Sequence, residues 1–154
     1  LNLSFKDILD LDFVISLDKN LDKIDNQKKQ QLVFEILESD YITDYTLLEE
    51  FIIKYREQGI QIAIDDFGTG YSNFAHILKI RPNYIKIDGS LIKNINTEKS
   101  SYELVKSIID FSKALNIKVI AEFVHSREVY ESILNLGVDE FQGFYLAEPN
   151  QILI

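Results

Sequence analysis

Short apolar runs, each broken by a single polar residue, alternate along this chain with longer stretches in which apolar residues recur every three or four positions. The first pattern predicts strands buried in a sheet, and the second predicts amphipathic helices. Leu1–Phe5, Leu32–Leu37, Gln61–Asp65, Tyr84–Ile87, Lys118–Val124 and Glu140–Leu146 read as strands. Asp10–Leu21, Tyr45–Gln58, Ser72–Leu78, Ser100–Asn116 and Arg127–Leu136 read as helices. Leu47, Leu48, Phe51, Ile52 and Tyr55 share one face of the second helix, and Leu104, Val105, Ile108, Ile109 and Leu115 point inward from the fourth. Gly59 and Gly137 are stop signals. Ser126 offers an N-cap without the acidic partner of a full capping box. The polar stretch Asp18–Gln31 reads as a solvated helix end and loop.

Strand and helix alternating throughout mean a parallel sheet covered by helices. Two architectures accommodate six strands with five intervening helices: an open doubly wound sheet and a (β/α) barrel. A complete barrel needs about 250 residues, so this chain of 154 residues would supply roughly three-fifths of one. A doubly wound sheet concentrates function in one crevice where strand order reverses. A barrel instead brings polar residues from the ends of many strands to one mouth.

The polar interruptions favour the barrel. Asn2 sits between Leu1 and Leu3, and Glu35 between Phe34 and Ile36. Asp65 and Asp66 end the run Ile62-Ala63-Ile64, just before Phe67-Gly68-Thr69-Gly70. Lys86 and Asp88 flank Ile87, Glu122 follows Ala121, and Gln142 follows Phe141. Every predicted strand therefore carries at least one. Carboxylates left at the rim of an apolar core are costly, and two adjacent ones repel. A divalent cation offsets that cost, and an oxygen-rich donor set suits a hard ion such as Mg²⁺ or Mn²⁺. A single Lys among them suits stabilisation of a phosphoryl group or its attacking water. The expected fold class is thus α/β, a TIM-type (β/α) barrel present as an incomplete barrel of about six strands.

Composition narrows the partners. A hydrophobic content of 46% and only two prolines describe a chain able to bury a core. The absence of cysteine removes disulfides and thiolate metal sites. A formal charge of -9 argues against binding DNA, RNA or an anionic membrane surface through the backbone or headgroups. No apolar run reaches the eighteen or so residues of a membrane span, and the lack of cysteine fits a reducing compartment; a cytoplasmic setting is expected, free or tethered through a larger signalling protein, with no direct membrane contact from this segment. The chain opens on Leu1 inside a strand-like run, which reads as a cut through a larger domain.

Asp65-Asp66-Phe67-Gly68-Thr69-Gly70-Tyr71-Ser72, followed by Tyr84-Ile85-Lys86-Ile87-Asp88, resembles the signature of the EAL-domain family of cyclic-di-GMP phosphodiesterases. Asn2-Leu3-Ser4 is similar to that family's Asn-x-Ser strand, and Phe34-Glu35-Ile36-Leu37-Glu38-Ser39 to its Glu-Ile-Thr-Glu-Ser segment. Ala121-Glu122-Phe123-Val124 resembles Ala-Glu-Gly-Val, and Gln142-Gly143-Phe144 with Pro149 resembles the closing Gln-Gly-Tyr and Pro. The resemblance implies that Asn2, Glu35, Asp65 and Glu122 are metal ligands, with Asp66 reaching a second ion. It implies that Lys86 steadies the water or phosphate, that Gln142 lines the same mouth, and that Glu38 holds the Asp66–Tyr71 loop. Lys86, Glu122 and Asp66 would be the catalytic groups of a two-ion hydrolysis of cyclic-di-GMP to linear pGpG, in a protein with a tendency to form homodimers.

Three departures qualify that expectation. The Glu-Ala-Leu segment that names the family is absent, so the first two β/α units are expected to lie upstream and this chain alone to be inactive. Phe123 stands where the family usually has Gly, and His125 where it has a second Glu. These features leave open a degenerate module that binds cyclic-di-GMP or dimerises without hydrolysis, and an unrelated Mg²⁺-dependent barrel acting on another phosphate ester. Other strings carry less. Asp66-Phe67-Gly68 matches a kinase triplet without the other kinase motifs, and Gly68-x-Gly70-x-x-Asn73 lacks the third glycine of a dinucleotide fingerprint. His76 reads as a surface or packing residue, Glu49 and Glu50 as a solvated helix face, and Phe141 and Phe144 as core.

Overall fold

The computed structural model describes residues 1–37, 45–69 and 74–148. They fall into two compact units, the first drawn from residues 1–65 and 73–83 and the second from residues 66–72 and 84–154.

In the first unit β1 (Asn2–Leu3), β2 (Val33–Leu37) and β3 (Gln61–Phe67) lie side by side in chain order, both pairings parallel. The first strand is shorter than its apolar run predicts, because Ser4 leaves the sheet to cap a helix. Its hydroxyl accepts from the Asp7 N–H while the Asp7 carboxylate accepts from the Ser4 N–H at 2.8 Å, a reciprocal capping box that starts α1 (Phe5–Leu9). Asp10 then caps α2 (Leu11–Leu21). The polar stretch that follows is not wholly solvated: Asp25 caps the short α3 (Asn26–Lys29), and Lys29 is buried with its ammonium on Gln58 Oε1 at 3.0 Å.

Helix α4 (Tyr45–Arg56) buries Leu48, Phe51, Ile52 and Tyr55. The Phe34 ring of β2 meets Tyr55 edge-on at 5.2 Å, so the apolar face pins the strand that carries Glu35. Each such buried side chain contributes about 1.5–3 kcal/mol. Tyr55 donates its hydroxyl to Asp18 Oδ1 at 2.9 Å, and burial together with Asp18 drives its pKa well upward. After α5 (Phe74–Ile80), Asn83 closes the start of β3: it accepts from the Ile62 N–H through Oδ1 at 2.9 Å and donates its own N–H to the Ile62 carbonyl at 2.8 Å.

In the second unit β4 (Tyr84–Ile87), β5 (Lys118–Ala121) and β6 (Glu140–Phe141) again pair parallel in chain order. Asp139 repeats the device seen at Asn83, binding Val119 through side chain and backbone at 2.8 and 3.1 Å. Between strands lie α6 (Gly89–Lys93), unforeseen in the sequence because it spans barely one turn, then α7 (Lys99–Ala114) and α8 (Arg127–Leu136). The inward stripe of α7 is Ser101, Val105, Ile108, Ile109 and Ser112, so Leu104, expected inside, is instead 38% exposed. Buried Ser112 satisfies itself by donating to the Ile108 carbonyl at 2.7 Å. Ser126 caps α8 as expected, and Gly137 ends it in the left-handed region at φ 84°.

Strands β5 and β6 stop short of their predicted ends for backbone reasons. Phe123 turns to φ 54°, which breaks the extended run. At Gly143 a Cβ would come within 2.3 Å of the Val124 backbone, so only glycine lets the chain fold back there. In neither unit does strand order reverse, which is the (β/α) barrel pattern rather than the doubly wound one.

Because Ser4 both ends β1 and starts α1, its hydroxyl fixes the position of Asn2. Ser4→Ala should lower unfolding free energy by about 1 kcal/mol at pH 7. The capping bonds hold the Asp7 carboxyl below its ordinary pKa. Its stabilisation is therefore full above the ordinary carboxylate range and lost as pH falls through the folded pKa. Urea unfolding at pH 7 and pH 3 checks this, and the gap between wild type and Ser4→Ala should narrow at the lower pH.

Candidate metal and phosphate site

In the first unit the register fixes where the polar interruptions lie. Asn2 faces Glu35, Glu35 faces Ala63, and Leu37 faces Asp65. Paired residues of a parallel sheet share a face and alternation returns to it every second residue. Asn2, Glu35 and Asp65 therefore share one face, with Asp65 one pleat nearer the carboxyl end. The alternating residues Leu3, Phe34, Ile36 and Ile64 are buried on the other face and lock that register. Asn2 is exposed, Glu35 half-buried, and Asp65 buried at 9% exposure.

The second unit begins at Asp66, whose φ of 57° is left-handed. Asp tolerates that region better than most residues, yet it still costs about 1–2 kcal/mol. The strain turns the chain at the end of β3, with Phe67 fully buried just beyond and Gly68 at φ 104°. A Cβ on Gly68 would lie 2.5 Å from Leu91 Cδ1, so the glycine expected from sequence is required by both conformation and space.

Lys86 in β4 faces Ile120, and Glu122 lies two residues further along the same face. Its ammonium is 2.8 Å from Glu122 Oε1, with the side chains only 8% and 19% exposed. The Gln142 N–H donates to the Ala121 carbonyl at 2.9 Å, which sets Gln142 beside Glu122 at the end of β6, exposed to solvent.

A carboxylate oxygen of Asp66 lies within 4.8 Å of one on Glu122. Oxygens bound to one Mg²⁺ or Ca²⁺ ion sit about 2.0–2.6 Å from it, hence up to about 4–5 Å from each other. The donors fit a hard divalent cation in spacing and in chemistry. The carboxylates outnumber the one ammonium that Lys86 brings to them, so by formal charge the group stays negative, as a cation would require.

Asp88 is not part of this group by its contacts: its carboxylate accepts from the Ser90 N–H at 2.9 Å and caps α6. His76 packs on Tyr45 at 3.9 Å, as a packing residue should, and burial followed by Lys79 lowers its pKa. Phe141 is half-buried against Tyr130 at 4.9 Å, whereas Phe144, expected in the core, is 71% exposed because the turn at Gly143 carries it outward. Glu38 with Ser39, Gly70–Asn73 of the glycine turn, and Pro149 lie outside the described residues. Sequence reasoning missed the left-handed backbone of Phe123. The signal was present, since a position that favours glycine in a family is a position that asks for positive φ.

A family model described as EAL domain matches residues 1–149. The cyclic di-GMP phosphodiesterase PdeF of Escherichia coli is 37% identical over 123 residues, 80% of this chain and 16% of that protein. The chain thus spans about a sixth of that relative's length. The solved EAL domain of Mycobacterium smegmatis DcpA superposes with a TM-score of 0.86 at 26% identity, over 96% of this chain and 66% of that one. Klebsiella pneumoniae BlrP1, solved with manganese and cyclic-di-GMP, gives a TM-score of 0.81 at 29% identity, over 94% of this chain and 37% of that one. The fold class is that of the TIM-type (β/α) barrel, represented among the described residues by three parallel strands in each unit.

Removing one partner of a buried ion pair strands the other charge at a cost of about 3–5 kcal/mol. Lys86→Met should therefore destabilise the protein by about that amount in chelator. Saturating Mn²⁺ should recover part of the loss, because a cation relieves the stranded Glu122. Equal losses with and without Mn²⁺, measured by urea unfolding, would separate Lys86 and Glu122 from any metal.

Proposed function

Since the chain belongs to the EAL-domain family, we propose that residues 1–154 are the C-terminal portion of a single barrel domain that hydrolyses cyclic-di-GMP to linear pGpG. The observation that carries this reading is the approach of Asp66 and Glu122 carboxylates to within 4.8 Å, with buried Lys86 paired to Glu122. The BlrP1 complex with manganese and cyclic-di-GMP supports both the cation class and the ligand.

Asn2, Glu35, Asp65, Asp66 and Glu122 would hold Mg²⁺ or Mn²⁺, two ions in the complete domain. Bound there, such ions supply Lewis acidity and an ionised water near neutral pH. Glu122 holds the Lys86 ammonium in place, and that ammonium orients the attacking water or a phosphoryl oxygen as charge builds on it. Water oxygen joins phosphorus, the ester bond to one ribose 3′ oxygen breaks, and that oxygen leaves protonated. Gln142, exposed beside Glu122, offers its amide to the substrate. Glu38 would steady the glycine-rich turn after Asp66. The reading includes a homodimer and a cytoplasmic setting, with neither nucleic-acid polymer nor membrane as a direct partner of this segment. The net charge of -9 supports the exclusion of a polyanionic partner, and no helix among the described residues is long and apolar enough to cross a membrane.

A second reading, a module that binds cyclic-di-GMP or dimerises without turnover, is favoured by Phe123 and His125 in the Ala-Glu-x-Val-x segment. One set of assays on the full-length protein separates the two. Asp65→Asn should abolish Mg²⁺- or Mn²⁺-dependent formation of pGpG followed by chromatography, and unchanged turnover would remove the metal assignment. Lys86→Ala should lower kcat by about 10²-fold while leaving the Kd for cyclic-di-GMP in Ca²⁺ within a few-fold. A loss confined to Kd would reassign Lys86 to binding, and wild-type binding without any pGpG would favour the second reading.

A further inference from the structure

We infer that Phe123 is a substrate-binding residue whose ring stacks on a purine base of the bound nucleotide, an assignment that rests on the cyclic-di-GMP reading above. Four observations on the second unit converge on this ring. Phe123 directly follows Glu122, so its Cα lies one peptide, about 3.8 Å, from that of the residue that pairs with Lys86. Its φ of 54° is a left-handed conformation that a bulky aromatic residue rarely adopts. Its side chain is nonetheless 48% exposed rather than buried in the core. Finally, the ring lies over Gly89 at the start of α6: a Cβ there would meet Phe123 Cβ at 2.6 Å and Cγ at 3.3 Å.

Taken together these exclude the bland accounts. A turn alone is served better by Gly or Asn, which enter the left-handed region at little cost. A core anchor would not leave half its surface in water. The strain is kept where the ends of β4 and β5 present Lys86 and Glu122, and strained residues cluster at ligand sites. Without the φ reversal, strand alternation would send the Phe123 side chain to the face opposite Glu122. The reversal instead lays it across Gly89, at the carboxyl end of β4. The His125 ring flanks it at 5.3 Å, with Nδ1 3.1 Å from the Phe123 carbonyl, and braces the turn. The result is a fixed, half-open aromatic face beside groups suited to a phosphodiester. The flat group that the ribose of such a phosphodiester carries is a nucleobase, and nucleobases stack on aromatic side chains whatever their sequence.

The test uses the full-length protein with Ca²⁺ and cyclic-di-GMP, followed by calorimetry. Phe123→Gly, which restores the residue of the family pattern, should raise Kd for the dinucleotide by about tenfold. Ca²⁺ affinity without nucleotide should stay unchanged, and in Mg²⁺ or Mn²⁺ the rise should appear in KM with kcat nearly constant. Phe123→Tyr, which keeps a ring, should stay within threefold of wild type. Wild-type affinity in Phe123→Gly would overturn the stacking assignment and leave the proposed function standing. An equal loss in Phe123→Tyr would also overturn it. Failure of the wild-type protein to bind cyclic-di-GMP at all would remove the proposed function and the stacking role with it.

Discussion

Mutual repulsion between carboxylates is the constraint on which the rest depends. Asp66 and Glu122 place oxygens within 4.8 Å of each other, and Glu122 keeps only a modest exposure to water. Left to themselves such groups would move apart or take up a proton. The second unit instead fixes both. Glu122 is tied to the Lys86 ammonium and, through its N–H, to the Ile87 carbonyl at 3.3 Å, while Asp66 is set by a left-handed backbone ahead of buried Phe67. That spends conformational energy to hold charges where a cation would join them.

The surrounding elements serve that end by fixing where each strand stops. Ser4 ends β1 one residue after Leu3, Asp88 ends β4 by capping α6, and Gly143 bends the chain after Gln142. At the opposite strand ends Asn83 and Asp139 make the same two-bond clasp, one on Ile62 and the other on Val119. Strand termini defined at both ends leave little freedom of register, and a slip by one residue would turn the polar side chain of each strand to the opposite face.

Much of this was legible in sequence because its causes are local. The alternating polar position in each apolar run located Asn2, Glu35, Asp65, Asp66, Lys86, Glu122 and Gln142, and α8 was bounded correctly by Ser126 and Gly137. What escaped depends on backbone geometry that periodicity does not encode. Ser4 reads as a strand residue although its side chain caps a helix, and β5 and β6 read as longer because Phe123 and Phe144 look like strand formers. Leu104 was misplaced by one helical step, since two buried serines at positions 101 and 112 define the true stripe of α7. Hydrophobicity alone hides a stripe whose polar members satisfy themselves internally. The pairing of Lys86 with Glu122 brings together residues 36 positions apart in the sequence, and only the parallel register of β4 and β5 makes them neighbours.

The most direct test of the account is a double-mutant cycle on Mn²⁺ binding with Asp66→Asn, Glu122→Gln and the pair, followed by calorimetry without nucleotide. If the two carboxylates grip a common ion, each substitution should weaken Mn²⁺ binding by at least about tenfold, and their free energies should not add. Strict additivity, or Mn²⁺ affinity indifferent to both substitutions, would show that these side chains do not meet at a metal.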